Sequence, residues 1–485
     1  MSFRLRLLAA LACALACADC GRSERRAPNV LVVVIDTLRA DRLGAYGNQR
    51  GLTPFLDSLA TKGTLFEHAY AVSSWTIPSV ASFFTSRYPT QHHVITFFSR
   101  IADSEVTLAE RLHGGGWVGG CFSANPNLRK DWGHGQGFDE LWSDLTPDVD
   151  VHGDTIRTQG LAWLDRTWSR RSRTPAFLYF QYMEPHAPYD PPEPFRSRFA
   201  VDEAGKPFDK DSAVRDVIAR ALPGAAAQGA DQPLDVAAAV KTLLARGTPL
   251  TKREILPFER LYDGEVATAD DQVRQLFEEL DRRGFLENSL VVILSDHGEE
   301  FVEHGRMSHG RTLYEESVRV PFIVVGPGVA AGRRVAENVS LIDLAPTLVD
   351  LLGLPPEPRF EGRSLAPLVR PGPGADRGPG AGPDILMQLE RSVPVEMDNR
   401  IHTRALLRGD QKFLIRLDGG SEMFDLAADP AEASTSQPAA TQEAPLSEAL
   451  SLTEARLGER AAAEHAFAPV DEKLKERLRA LGYQP

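Results

Sequence analysis

"VLVVVID", residues 30–36, decides the fold. It is an unbroken, mostly β-branched apolar run with no alternation of polar and apolar residues. Neither face is left for water, which is the pattern of a strand buried on both sides in a parallel sheet. The run stops at an acid, Asp36. Ligands in open parallel sheets gather beyond the carboxyl ends of the strands, so Asp36 is the first candidate functional residue.

Working outward, "GLTPFLDSLATKGTLFEHAY" reads as a helix followed by a short strand. "GGWVGGCFSAN", "PAFLYFQYMEPH", "SLVVILSDHG" and "VRVPFIVVGPG" are further strand candidates, separated by helical stretches such as "DGEVATADDQVRQLFEELDRRG". Strands alternating with helices predict an α/β fold around a large, mostly parallel central sheet. Residues 200–258 are Ala-rich and irregular, and are expected to be an insertion inside a catalytic domain spanning 28–369. Residues 370–383, "RPGPGADRGPGAGP", form a Pro/Gly spacer. A C-terminal subdomain follows over 384–485, with a hairpin in "RALLRGDQKFLIRLDGGSEMFDL", a loop-like "ADPAEASTSQPAATQEAP" and a short amphipathic helix in "VDEKLKERLRALGY".

The chain has 485 residues, 42% of them hydrophobic, so a large core is available. Its net charge of −13, without a long basic run, argues against nucleic-acid binding. An acidic chain that handles an anionic substrate needs positive charge at its site: a metal, an arginine or a helix N-terminus. Residues 1–20, "MSFRLRLLAALACALACADC", read as an export signal, with a basic start and an apolar stretch too short to span a bilayer. "ALAC", ending at Cys17, resembles a lipoprotein processing box, although Ala14 stands where a larger aliphatic residue is usual. Ordinary cleavage to a soluble secreted product is the alternative. The expected location is the periplasm or cell envelope, with contact to a membrane only through a lipid on Cys17. Cys20 and Cys121 are then left over, too few for a disulfide framework.

The candidate chemistry lies at strand ends. Asp296 and His297 follow one predicted strand and precede Gly298, which permits a tight turn. An adjacent carboxylate and imidazole make a borderline N/O donor pair, suited to zinc or manganese more than calcium. His186 lies in "MEPHAPYDPP", after another strand, and His309 comes twelve residues after His297. In "SSWTIPSVASFFTSRYPTQHH", residues 73–93, Thr76 stands at the start of a predicted helix. One reading makes it an N-cap that accepts a backbone N–H. The other makes it a nucleophile activated by a divalent cation, which would lower the hydroxyl pKa and stabilise charge on a tetrahedral ester centre.

These segments, with "NVLVVVIDTLRADRLGAYGN", "SDHGEEFVEHGRMSHGRTLYEESVRVPFIV" and "VSLIDLAPTLVDLLGLP" in the same order, resemble the sulfatase family of the alkaline phosphatase superfamily over about residues 28–430. The resemblance implies that fold, with a small antiparallel C-terminal subdomain. It implies Asp36, Thr76, Asp296 and His297 as ligands of one divalent metal, with Thr76 also the nucleophile. Thr37 stands where many sulfatases carry a second acid, and His297 where calcium-dependent members often carry Asn. His186 matches a histidine that contacts the substrate or leaving group, and His309 lies near a position that is often lysine. Asn125 and Asn127 fall roughly at sulfate-binding positions, and Arg87, the remaining arginine of the nucleophile motif, is either a further substrate contact or only structural.

The departures from the family pattern redirect the expected chemistry. The family begins its motif with Cys or Ser, which is oxidised to formylglycine, and follows with Arg; this chain has Thr76 and Val80. Oxidising a secondary alcohol yields a ketone, so no formylglycine is expected. Thr76, the Asp-His pair and His309 resemble instead the phosphoethanolamine transferases and phosphodiesterases of the superfamily, which use a threonine alkoxide on zinc or manganese. The expectation is an ester hydrolase or phosphotransferase that favours phosphoric esters. A sulfuric-ester hydrolase and an inactive binding protein with the same fold are the rivals. A second metal near His186 and His309 stays open.

Overall fold

A computed structural model describes residues 26–143, 153–171, 174–202, 205–208, 251–370, 372, 382–391, 401–416, 419–434, 440–461 and 466–467. The export signal, the processing box at Cys17 and the expected C-terminal helix lie outside the described residues, as do most of the spacer and residues 209–250 of the insertion.

The run at 30–36 becomes β1, Asn29–Ile35, buried along its whole length. The sheet around it is completed by β2 Thr64–Phe66, β3 Val118–Ser123, β4 Glu140–Ser143, β5 Ala176–Tyr182, β6 Ser289–Leu294, β7 Phe322–Val325 and β8 Arg333–Val335, in the order β8-β2-β7-β6-β1-β5-β3-β4. The neighbours β6-β1-β5-β3-β4 run parallel, as do β8 and β2. β7 is antiparallel to both β6 and β2. Helices cover both faces, so β1 has no wet side. Leu31, Val33 and Ile35 pack with Ile156, Trp163 and Leu276 on one face. Val30, Val32 and Val34 pack with Val80, Phe83, Leu112 and Leu348 on the other.

The long helix of the first face is Lys252–Arg282. It begins earlier than the sequence suggests because Thr251 and Glu254 form a capping box, the Thr251 N–H donating to Glu254 over 2.8 Å. Residues 252–258 of the expected insertion are therefore its opening turns.

The expected C-terminal hairpin is part of a larger antiparallel sheet: β9 Ile385–Arg391, β10 Ile401–Arg408, β11 Gln411–Arg416 and β12 Ser421–Asp425, paired in chain order. The stretch read as loop-like turns helical at its end, in Ala440–Gly458. One face of this sheet, Leu406, Phe413 and Met423, rests on Leu446 and Leu450 of that helix. The other face, with Met387, Leu407 and Leu414, rests on Trp75, Ile77 and Ala81. The helix Thr76–Thr85 is thus clamped between the two sheets: Val80, Phe83 and Phe84 face the central sheet, and Ile77 and Ala81 face the C-terminal one. That clamp fixes where Thr76 stands.

Candidate active site

β1, β5 and β6 are parallel neighbours, so their carboxyl ends open at one place. Asp36 follows β1 directly, and Asp296 and His297 follow β6. All three side chains are fully buried, and each offers a ligand atom within 4.8 Å of the other two.

Thr76 is the first residue of its helix, and the cap position belongs to Trp75, which makes no side-chain cap bond. The capping reading of Thr76 therefore gives way. Its hydroxyl lies 3.2 Å from Nε2 of His297 and hydrogen-bonds to the Asp296 carboxylate. The His297 ring is held from its far side, with Nδ1 2.9 Å from the Gly298 carbonyl oxygen. With the proton on Nδ1, the lone pair of Nε2 faces Thr76, Asp36 Oδ1 at 3.7 Å and Asp296 Oδ2 at 3.6 Å. A backbone acceptor on one nitrogen, fixing the other toward the donor cluster, is the usual orientation of a metal-ligating histidine.

The cluster carries more negative charge than its protein partners balance. Burial, with the Asp296 charge adding to it, pushes the Asp36 carboxyl up to about 8. Burial likewise pushes Asp296 up to about 7. Asp36 Oδ2 accepts from Asn125 Nδ2 and from Gln181 Nε2 at 3.1 Å, whereas Asp36 Oδ1 is buried with no hydrogen-bond donor. Thr37, at φ 56°, holds a left-handed conformation that a β-branched residue rarely takes, and its Oγ is also buried without a partner. Two buried carboxylates, an oriented imidazole, a hydroxyl and an orphaned oxygen fit a divalent cation.

The other expected site residues divide. Asn125 joins the cluster, its Nδ2 donating to Asp36 and lying 3.4 Å from Thr76 Oγ. Asn127 supports it from behind, its backbone N–H donating to Asn125 Oδ1 over 2.8 Å. His309 and His186 extend the site as a row of imidazoles: the His309 ring centre is 4.5 Å from that of His297 and 4.9 Å from that of His186. Nδ1 of His186 faces the Ala187 carbonyl, and burial, with His309 next, drives its pKa down to about 3. Arg87 takes the structural one of its two expected roles. Its Nη1 pairs with Glu105 at 2.9 and 3.0 Å and its Nη2 donates to the Arg460 carbonyl, so the guanidinium is committed to a buried structural pair.

Three residues were missed in the sequence. Ser79 donates to the Asp296 carbonyl over 2.6 Å and ties the helix to the strand end. Its signal was its place one turn after Thr76. Gln181 reaches Asp36, held by the Tyr179 hydroxyl at 2.6 Å, and was visible as the lone polar residue inside "AFLYFQY". Glu299 lies 3.1 Å from His309 Nδ1 and is fully buried.

Among the described residues no helix is long and apolar enough to cross a membrane. A family profile described as Sulfatase matches residues 28–354. The chain is 27% identical over 436 residues to arylsulfatase K of Gallus gallus, covering 84% of this chain and 78% of that one. The structure is similar to a phosphonate monoester hydrolase of Agrobacterium radiobacter, with a TM-score of 0.67 and 21% identity over 88% of this chain and 95% of that one. It is equally similar to a protein solved with its substrate D-glucosamine-2-N,6-O-disulfate, with a TM-score of 0.68 and 19% identity over 89% and 98% of the two chains. With the profile spanning Asp36, Thr76, Asp296 and His297, the chain belongs to the sulfatase family, ester hydrolases of the alkaline phosphatase superfamily.

Proposed function

We propose that this chain cleaves phosphoric esters through Thr76, with one divalent cation held by Asp36, Thr76, Asp296 and His297. The observation that carries the reading is the Thr76 hydroxyl, turned away from capping and held 3.2 Å from Nε2 of His297 between two buried carboxylates. A cation bound there supplies Lewis acidity, lowering the hydroxyl pKa and offsetting the charge of an anionic ester. The N/O donor set suits zinc or manganese more than calcium.

Thr76 Oγ gives up its proton to solvent and attacks as the alkoxide, displacing the alcohol from phosphorus: a new O–P bond forms as the ester O–P bond breaks. The departing oxygen takes a proton from His309; His186, neutral and with Nδ1 turned to the Ala187 carbonyl, lines the ester site. Asn125 Nδ2 stands beside Thr76 Oγ and gives the ester oxygens a neutral donor. Water then gives a proton back to the histidine as it displaces phosphate from Thr76, which is released as the alkoxide; an alcohol in its place makes the reaction a transfer. Threonine cannot give the formylglycine aldehyde, so release by collapse of an aldehyde hydrate is closed. Two successive displacements remain, which phosphoryl esters suit. We further propose that the reaction takes place outside the cytoplasm, on the strength of the signal-like residues 1–20.

Similarity to an arylsulfatase and to a disulfate-bound neighbour supports a second reading, in which the same residues cleave sulfuric esters. A panel of aryl sulfate, phosphate monoester and phosphodiester substrates, run on metal-loaded wild type and Thr76→Ala, tests both. The expected result is phosphoester turnover in the wild type, lost in the variant. Preferred turnover of sulfate esters would install the second reading, and turnover retained by Thr76→Ala would remove both.

A further inference from the structure

Glu299 is a fully buried carboxylate that the scheme above does not use. It leaves the His297–Gly298 turn just ahead of the short strand Glu300–Phe301, which pairs with Met307–Ser308. Successive side chains here point opposite ways. Glu300 faces Thr312 and Ser317, accepting at 2.8 and 3.1 Å, while Glu299 turns back to His309, its Oε1 3.1 Å from Nδ1. The backbone that carries Glu299 is pinned. Gly298 N–H donates to Ser317 O over 2.8 Å and Glu299 N–H to Glu316 O over 3.0 Å. Arg39 Nη1 donates to the Glu299 carbonyl over 3.0 Å. A Cβ at Gly298 would fall 2.0 Å from the Glu316 carbonyl oxygen, so only glycine permits this approach. The Tyr189 hydroxyl hydrogen-bonds to the Glu299 carboxylate. His309 is fixed as well, because the next residue, Gly310, donates its N–H to Ser74 O over 2.8 Å, two positions before Thr76.

A carboxylate this deeply buried and this firmly aimed at one imidazole nitrogen sets that imidazole's orientation and proton position. Among the described residues, the ligand atoms of Glu299, His309 and His186 do not converge within 4.8 Å of one another. Among the described residues, the carboxylate and histidine group whose ligand atoms converge is Asp36, Asp296 and His297.

We propose that Glu299 is a positioning residue that holds His309 with its Nδ1 proton toward the carboxylate, so that Nε2 is the nitrogen that gives a proton to the leaving oxygen. The proposal rests on the Thr76 reading above. As the Thr76 oxygen bonds to phosphorus and the ester O–P bond breaks, the Nε2 proton of the His309 imidazolium passes to the departing alkoxide. His309 is left neutral with its proton on Nδ1, facing Glu299. In the second step the attacking water gives a proton back to Nε2 as its oxygen bonds to phosphorus and the Thr76–phosphorus bond breaks.

The test is Glu299→Gln, nearly isosteric, assayed on aryl phosphates from p-nitrophenyl (a good leaving group) to phenyl (a poor one). A poor leaving group needs the proton; a good one departs largely without it. The expected result is a kcat loss of about 10²-fold on phenyl phosphate, at least tenfold smaller on p-nitrophenyl phosphate, with KM little changed. His309→Gln with Glu299→Gln should lose no more than His309→Gln alone. Equal losses across the leaving groups, or losses that multiply in the double variant, would overturn the proposal while Thr76 stands. If Thr76→Ala keeps its turnover, the Thr76 reading falls instead. A readout independent of turnover is NMR of protein labelled with ¹⁵N-histidine. His309 should show the Nδ1-protonated form in the wild type and lose it in Glu299→Ala; an unchanged spectrum would overturn the role of Glu299.

Discussion

Two clusters of buried charge flank the segment 296–316, and they are built in opposite ways. At the strand ends, Asp36 and Asp296 are fully buried beside His297, and the carboxyls are pushed up to about 8 and about 7, chiefly by burial. On the other side, against the C-terminal sheet, Lys412 is just as buried but lies 3.0 Å from both Glu315 and Glu432. Burial alone would lower its pKa, yet the two carboxylates outweigh that and raise it. Glu432 also accepts the Glu315 N–H at 2.6 Å. The second cluster brings its own cation, and the first has the donors of a cation site without, among the described residues, a Lys or Arg as a partner. A structural cluster closes its charge within the chain, and a functional one leaves it open.

The largest effect expected is at the open cluster. If Thr76 is the nucleophile, as proposed, Thr76→Ala should lower turnover on the order of 10⁴-fold or more, because a nucleophile has no substitute. Its stability cost should stay near that of one lost hydrogen bond, about 1 kcal/mol, since the hydroxyl supports no cap. Steady-state kinetics and a denaturant melt check the two halves. A variant that unfolds while its folded fraction still turns over would place the hydroxyl in the structural class and break the contrast.

The next effect belongs to the closed cluster. Lys412→Met leaves Glu315 and Glu432 buried without their cation, which typically costs about 3–5 kcal/mol. Adding Glu315→Gln and Glu432→Gln should recover part of the loss, because neutral amides remove the unmatched charge. Denaturant midpoints of the single and triple variants measure this. A triple variant no better than the single would show that packing around Lys412, rather than charge closure, matters there.

Removing metal should act on the open cluster alone. At free cation about a hundredfold above Kd, bound metal adds about 2.7 kcal/mol of stability, which chelation should take away together with turnover. The increment should grow with pH, because the ligands bind as carboxylates. The same titration on Lys412→Met should give the same increment, since the two clusters share no ligand. Chelated protein with full turnover and an unshifted melt would remove the metal from the account.

The two clusters also differ in how far they could be read in the sequence. Asp36 and the Asp296-His297 pair were legible because parallel strands announce themselves as apolar runs, and an acid or histidine at the end of such a run has few other reasons to be there. Thr76 was half legible: a hydroxyl at a helix start reads equally as a cap, and its turn toward His297 shows only in the fold. Glu299 was hidden in "DHGEE", where one of two adjacent acids turns to His309 and the other to Thr312. Arg87 left two roles open because its partner Glu105 is a loop residue without a motif. The closed cluster was invisible. Lys412 sits in "QKFLIR", where it looks like a surface lysine on a strand, and its partners lie 97 residues upstream and in a segment read as loop. Long-range closure of charge leaves no local pattern, whereas strand ends do.

The smallest effect tests whether the closed cluster is settled at all pH values. His304 belongs to it: Nδ1 is 2.7 Å from Glu316, Nε2 is 3.0 Å from the Glu432 carbonyl, and the ring stacks on Tyr314 at 3.7 Å. Burial alone would lower its pKa, but the hydrogen bond and charge of Glu316, with Glu432 behind, raise it from 6.5 to about 9. A histidine whose folded pKa lies above its unfolded one stabilises fully below the unfolded value, and that stability fades as pH rises through the folded value. His304→Gln should therefore destabilise most near pH 6, by about 1 kcal/mol once partial solvent screening is allowed for, and the difference from wild type should shrink above pH 9. The difference between the two proteins is the quantity to measure, because other groups titrating over this range act on both alike. A gap that stays constant from pH 6 to pH 10 would mean that His304 works through its stack on Tyr314 and not through its charge. The closed cluster would then be closed by Lys412 alone.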